Sequence, residues 1–269
     1  MATELQSRTA RPPGGAQPLR EPTAAVGDAI ELQAVERTFT DRRGARVPAL
    51  AGISLRVARD QLLAVVGPSG CGKTTLLELI CELQAPDAGT LQSEPAVLMP
   101  QRDLLLPWLD ARDNAALALR VAHVPRAEAR KRAAALFAEL GLEGFERAHP
   151  GELSGGMRQR VAFARTLLAG KPVLCLDEPF GALDAITRAE MQDWLVAALG
   201  RAPRTVVLVT HDVEEAVLLA DRVLVLSPRP GRVIGEIAVE LPRPRRRTDG
   251  AVITLRERAL GLLAGARPA

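Results

Sequence analysis

At 269 residues, with 47% hydrophobic and 25% charged side chains, the chain can bury one large core with room for a subdomain. It holds no run near the roughly 18 consecutive apolar residues of a membrane span, and residues 1–27 lack a secretory signal's apolar stretch, so an integral-membrane or exported chain is not expected. The net charge of +3 conceals a gradient, with nine arginines against four acidic residues from Pro228 onward, while aromatics at 3% offer few platforms for nucleic-acid bases. A solvated basic face is the expected reading of that tail. The three cysteines, Cys71, Cys81 and Cys175, show no C-x-x-C spacing, which fits free thiols in a reducing compartment and argues against a zinc site.

Residues 1–28 are rich in Ala, Pro, Gly and Arg, show no periodicity and read as a disordered leader. Alternation then begins. Residues 30–35 and 52–57 each carry the apolar–polar pattern of a half-buried strand and are separated by a charged turn over 41–46. A small antiparallel sheet laid against the following core is predicted. Phe39, at the end of the first strand, is either an edge-of-core ring or a stacking surface for a purine, and its position alone slightly favours the first.

Leu62-Leu63-Ala64-Val65-Val66 has the look of a buried strand and opens onto Gly67-Pro68-Ser69-Gly70-Cys71-Gly72-Lys73-Thr74, a G-x-x-x-x-G-K-T pattern. Apolar residues at helical spacing follow over 75–81. Strand, glycine-rich loop and helix together make a phosphate cradle, because glycines let successive N–H groups face inward and the helix N-terminus adds a positive dipole end. Lys73 supplies a mobile charge for the β- and γ-phosphates, and Thr74 a hydroxyl for Mg²⁺. A turn over 86–89 and a short strand over 96–99 come next, ending at Pro100-Gln101. Helices are predicted over 113–122 and 126–140, the second closed by Gly141, and over 158–168 with Ser154 placed to cap it.

Residues 172–179 form an apolar run that ends in Asp177-Glu178-Pro179, as a buried parallel strand does when it delivers carboxylates to the ligand-binding edge of a sheet. A helix over 187–199, a strand over 205–210 delivering His211, a helix over 213–220 and a strand over 222–226 complete the core. A hairpin over 231–239, a basic proline-broken linker over 243–247 and a last helix over 252–263 end the pattern. Three strand ends thus carry chemistry in order. Behind a phosphate loop, Asp177 suits the metal side, Glu178 the attacking water and His211 the γ-phosphate.

With these elements in place, the chain resembles the ATP-binding cassette (ABC) ATPases over roughly residues 30–226. Leu153-Ser154-Gly155-Gly156-Met157 looks like that family's signature loop and departs from it at Met157, where glutamine is usual. Gln101 matches the glutamine of the loop joining core to helical subdomain. Gly181-Ala182-Leu183-Asp184 matches the loop after the second motif, with Gly181 where serine is common. His211 matches the switch histidine, and Phe39 the ring that stacks on adenine, which reverses the preference from position. The resemblance implies an α/β P-loop NTPase with a mostly parallel sheet, a small antiparallel β subdomain and an inserted α-helical subdomain. Expected boundaries are a leader over 1–28, the ATPase domain over 29–250 with its helical subdomain at about 102–160, and a helical tail over 251–269.

It also implies ATP with Mg²⁺ as ligands. The contacts would come from Phe39, Gly67, Pro68, Ser69, Gly70, Cys71, Gly72, Lys73, Thr74, Thr75, Gln101, Ser154, Gly155, Gly156, Met157 and Asp184. Thr74, Gln101 and Asp177 fall on the metal side, and Glu178, His211 and Lys73 on the catalytic side. Two copies would pair head to tail, each ATP lying between one copy's phosphate loop and the other's signature loop. Met157 lacks the amide of the usual glutamine, which puts its polar contacts in doubt and leaves the backbone N–H groups. The 81 positions between Lys73 and Ser154 leave no room for the long coiled coil of DNA-repair relatives.

A single cassette resembles bacterial importer subunits, and finer likeness points to the nitrate/sulfonate/taurine group. The resemblance then implies a peripheral subunit on the cytoplasmic face of the inner membrane, working on two integral-membrane permease subunits with an extracytoplasmic substrate-binding protein as an indirect partner. Leu104-Leu105-Leu106-Pro107-Trp108 is either core or a docking knob for the permease, and its place beside Gln101 tilts it to the second. The alternative from another class is a soluble cassette acting on nucleic acid or ribosomes, gripped by the basic tail. No nucleic-acid partner is expected.

Overall fold

β1 (Asp28–Thr40) and β2 (Arg46–Ala58) pair antiparallel across the charged turn, where Asp41 accepts from the N–H groups of Arg43 and Ala45. The structure, a computed structural model, describes residues 27–266, so the leader expected over 1–28 lies almost wholly outside the described residues. β3 (Leu62–Val66) leaves this hairpin for a second sheet, α1 (Lys73–Ile80) follows, and β4 (Ala88–Ser93) returns to pair with β1. The first sheet therefore has three antiparallel strands in the order β2-β1-β4. The third of them was not foreseen: the turn residues around Gly89 mask a strand whose side chains are mostly exposed and show little hydrophobic alternation.

β5 (Ala96–Met99) leads into α2 (Ala111–Ala115), α3 (Leu117–Val121), α4 (Arg126–Glu139) and α5 (Gly155–Leu168). The helix predicted over 113–122 is two short helices that meet at Ala116. Asn114 and Asp113 explain why this region is held by polar groups as much as by apolar ones. The buried Asn114 amide donates to the carbonyls of Leu106, Leu109 and Asp110 and accepts from Leu106 N–H. Asp113 takes Arg126 and a two-pronged contact from Arg130, all at 2.6 Å, and those guanidiniums hold its carboxyl down at about 2. α4 ends in a Schellman turn: Gly141 sits at φ +62°, and Leu142 N–H reaches back to Phe137 O at 2.9 Å.

β6 (Val173–Asp177), α6 (Ala185–Arg201), β7 (Thr205–Thr210), α7 (Val213–Leu219), β8 (Arg222–Leu226), β9 (Val233–Ala238) and α8 (Gly250–Gly265) finish the chain. The second sheet runs β5-β6-β7-β3-β8-β9, parallel but for β9. Both faces of its central strands are covered, which is why they read as unbroken apolar runs. Leu63, Val65, Cys175, Val207, Val209 and Leu224 face α1 and the antiparallel sheet. Ala64, Val66, Leu174, Leu176, Leu208 and Val225 join the core with residues of α5, α6, α7 and α8. Burying a side chain of this size is worth about 1.5–3 kcal/mol each, so the two layers clamp the strands and fix where their C-terminal ends point.

In the basic stretch over 243–247, Arg246 and Arg247 are exposed as composition suggests, but Arg243 and Arg245 are half-buried. Arg245 turns inward and donates to the carbonyls of Val217, Leu218, Ala220, Val239 and Leu241. It thereby serves the open C-terminal end of α7, whose last carbonyls have no helical partner. Burial, with Arg243 alongside, lowers its pKa to about 10. Arg243 pairs with Asp221 at 2.8 Å. Replacing Arg245 with alanine should lower unfolding free energy by about 2–4 kcal/mol, because several partly buried carbonyls lose their donor. Lysine should restore little of it, since one ammonium does not reproduce the guanidinium's fork. Urea denaturation of the three proteins checks this, and equal stability of Arg245→Ala and the parent would contradict it.

Candidate active site

The loop between β3 and α1 is shaped from behind. Gly72 precedes α1 at φ +101°, and a Cβ there would lie 2.6 Å from Leu50 Cδ2 and 2.8 Å from Ala49 O. Gly231 approaches more closely still, since its Cβ would meet Cys71 O at 2.2 Å. It is tied to β2 through Gly231 N–H to Ala49 O at 2.8 Å and Ala51 N–H to Gly231 O at 3.0 Å. The loop thus rests on β2 and on Gly231, and no side chain caps the N-terminus of α1. Its first N–H groups are left to an anion. Lys73 Nζ donates to Gly67 O at 2.8 Å and Pro68 O at 3.1 Å, folded along the rim of that cradle. Cys71 is buried beneath, and burial pushes its thiol up despite the nearby Lys73 charge.

Two groups of side chains meet beside the loop. In the first, Thr74 Oγ1 donates to Asp177 Oδ2 at 2.7 Å, so the start of α1 is joined to the end of β6. Burial raises the Asp177 carboxyl, the Thr74 bond opposing, and Glu178 raises it further. In the second, Glu178 Oε2 accepts from Gln101 Nε2 at 2.9 Å and lies 3.3 Å from His211 Nδ1. Glu178 has φ +47°, a left-handed conformation that a non-glycine residue holds only when its surroundings enforce it. Its N–H donates to Val209 O at 2.9 Å and its C=O accepts from Gly181 N–H at 3.1 Å. Residues from three strand ends and the 101 loop therefore converge.

Other expected contacts stand apart from this cluster. Phe39, 39% exposed, has the Arg37 guanidinium 5.1 Å from its ring centre. Ser154 caps α5 by accepting Met157 N–H at 3.2 Å, and Met157 packs on the main core. Asp184 caps α6, accepting from Ile186 N–H, Thr187 N–H and the Thr187 hydroxyl. A Cβ on Gly156 would lie 3.1 Å from Leu183 Cδ2, so the 181–184 loop abuts the head of α5. Thr75 lies half-buried on α1.

Two features escaped the sequence reading. Gly231 sits far along the chain from the loop it supports, and only the fold brings the two together. Arg158 and Arg165 of α5 grip the segment after Gln101: Arg158 Nε reaches Asp103 Oδ2 at 3.1 Å, and Arg165 reaches the carbonyls of Asp103 and Leu104 at 2.5 and 2.9 Å. That segment carries the exposed Leu104 and Trp108, with Trp108 71% exposed.

The family model described as ABC transporter matches residues 50–181. A taurine import ATP-binding protein of Chromobacterium violaceum is 43% identical over 218 residues, 77% of this chain and 83% of that protein. An aliphatic sulfonates import ATP-binding protein of Nocardia farcinica is 46% identical over 240 residues, covering 87% and 94%. Among solved structures, the ATP-binding cassette MJ0796, a dimer in a post-hydrolysis state bound to ADP and phosphate, superposes with a TM-score of 0.72. It is 28% identical and covers 79% of this chain and all of that one.

Because Gly231 presses on Cys71 O, Gly231→Ala should move the phosphate loop. Nucleotide affinity is expected to fall by about tenfold or more, the size of effect that a displacement near 1 Å produces in a preorganised site. Titration with a fluorescent nucleotide, alongside a thermal melt, checks it. Wild-type affinity in Gly231→Ala would show that the loop is not held from this side.

Proposed function

The chain belongs to the ABC transporter family, and from that premise we propose that it is the ATP-hydrolysing subunit of an importer for small organic oxyanions of the sulfonate or taurine kind. The observation that carries the reading is the junction of the phosphate loop, Asp177, Glu178, Gln101 and His211 at one sheet edge. The names of the relatives support the substrate class. Among the described residues no helix is long and apolar enough to cross a membrane, so permease subunits would provide the path. The subunit would lie peripherally on the cytoplasmic face, two copies acting on two permease subunits, with an extracytoplasmic binding protein upstream.

The chemistry follows from the side chains. The loop amides and Lys73 would hold the phosphates, with Lys73 exchanging its carbonyl partners for phosphate oxygens. Thr74 and Asp177 offer hard oxygen donors side by side, and a buried carboxyl pushed upward in pKa is one that a cation would relieve; with Gln101 they fit Mg²⁺. Mg²⁺, when bound, would neutralise charge on the β- and γ-phosphate oxygens. Glu178 would orient and polarise the attacking water, and Gln101 and His211, its neighbours here, would flank the water and the γ-phosphate. The Ser154 hydroxyl and the free amides at the head of α5 would complete the site of a second copy, so ATP closes the dimer and hydrolysis opens it. Phe39, part-exposed, would stack on adenine, and Asp184 would lie at the seam between copies.

Coupling to transport has a route in the grip of α5 on the 101–108 segment. Gln101 touches Glu178 at one end, Leu104 and Trp108 offer apolar surface for a permease at the other, and Arg158 and Arg165 bind the stretch between them to the signature helix. For the alternative role on nucleic acid the basic tail offers less than its composition suggests, since Arg243 and Arg245 are engaged inside the fold.

Glu178→Gln should retain ATP binding while turnover falls by about 10²–10⁴-fold, the usual loss for a general base. In ATP it should run as a dimer on size exclusion, and purification from membranes should recover it with an integral-membrane partner. Undiminished steady-state hydrolysis would remove Glu178 from its role, and recovery with RNA in place of a membrane protein would favour the alternative.

A further inference from the structure

Behind His211 lies a buried acid that takes no part in the site described above. Glu215 stands in the first turn of α7 and is only 5% exposed. An acid buried to this degree is almost always paired with a cation, yet its hydrogen-bond partners here are neutral. Oε2 accepts from Thr210 Oγ1 at 2.5 Å, and Oε1 accepts from Gln192 Nε2 at 3.2 Å. The charged groups that bear on it are Arg188, which favours the carboxylate, and Asp212, which opposes it.

A helix cap alone does not explain the arrangement. Asp212 caps α7 with its own side chain, accepting from Glu214 N–H and Glu215 N–H. A glutamate three residues into the helix would ordinarily complete a capping box by accepting the N–H of the cap residue directly. Here the Thr210 hydroxyl stands between them, accepting Asp212 N–H at 3.0 Å and donating to Glu215. The inserted hydroxyl ties together the residues on either side of His211. Thr210 itself is fixed at the end of β7 by pairing with Val66, the residue before the phosphate loop. His211 has a side chain 66% exposed, with Glu178 Oε2 at 3.3 Å, so its placement depends on its backbone more than on packing. Gln192 brings the clamp to α6 and is reached in turn by Arg247 Nη2 at 3.4 Å.

We propose that Glu215 is a positioning residue for His211: its carboxylate holds the Thr210 hydroxyl, and through it the turn from Thr210 to Asp212, so that the His211 ring stands beside Glu178. The proposal rests on the reading of His211 as the group that meets the γ-phosphate. It separates binding from chemistry, because neither Glu215 nor Thr210 is among the residues expected to touch the nucleotide. Glutamine at 215 keeps volume but turns a two-fold acceptor into a half donor, leaving either the Thr210 or the Gln192 donor without its partner.

Steady-state ATPase assays on the full chain test this with Glu215→Gln, Thr210→Val, Thr210→Ser, His211→Ala and the double variant Glu215→Gln/His211→Ala. Glu215→Gln and Thr210→Val should each lower kcat by about tenfold with KM for ATP within about twofold, and Thr210→Ser, which keeps the hydroxyl, should stay near the parent. In the double variant the loss should equal that of His211→Ala alone, the non-additivity of residues acting as one unit. Losses that multiply, or a wild-type kcat in Glu215→Gln, would overturn the proposal. If Glu215→Gln does not fold, the Thr210 pair carries the same test. Wild-type turnover in His211→Ala is a distinct outcome, which would overturn the reading of His211 and the proposal with it.

Discussion

The whole site depends on a glycine-rich loop that Lys73 alone among its own side chains spans, through the Gly67 and Pro68 carbonyls. Residues 67–74 curve so that backbone N–H groups point at an anion, and such a loop keeps its shape only if something presses on it from outside. Here the pressure comes from the Ala49 carbonyl and the Leu50 side chain of β2 against Gly72, and from Gly231 against the Cys71 carbonyl. These contacts also explain the antiparallel sheet. It serves as a brace, since β2 is tied to Gly231 beside the phosphate loop.

From that fixed point the parallel sheet distributes chemistry. Asp177 is two strands away from the phosphate loop across β7, yet reaches Thr74 at 2.7 Å because the strand ends splay to one edge. Glu178 then collects Gln101 and His211 from opposite sides. The same acid is thus in contact with the loop that leads to Trp108 and with the turn held by Thr210 and Glu215. One carboxylate has a neighbour for each partner the subunit would need to sense: the permease side through Gln101, and the nucleotide side through His211.

Much of this was legible in the sequence. The buried strands read plainly because both faces are covered, and their ends carry the residues expected to act. Ser154 and Gly141 announced their helix ends through local hydrogen-bond chemistry that needs no tertiary context. What escaped was long-range or polar. β4 lacks a hydrophobic alternation because its side chains lie largely in solvent, and it forms a strand because β1 offers it an edge. The 113–122 helix breaks because Asn114 and Asp113 turn their side chains to neighbouring backbone and arginines. Arg245 read as solvated with the rest of the basic tail because composition cannot tell an arginine facing water from one facing five carbonyls. Gly231, Arg165 and Glu215 owe their importance to neighbours distant in sequence or to burial, neither of which a linear pattern shows.

The central claim is that each phosphate loop is half a site, completed by the 154–157 loop of another copy. Chains carrying Ser69→Cys and differently tagged chains carrying Gly155→Cys, mixed under mild oxidation, test it directly, since each contributes one new thiol and a disulfide demands close approach of the two loops. The account predicts a covalent pair of unlike chains that forms in ATP and not in ADP. Absence of that product in ATP, or its formation to the same extent without nucleotide, would contradict it.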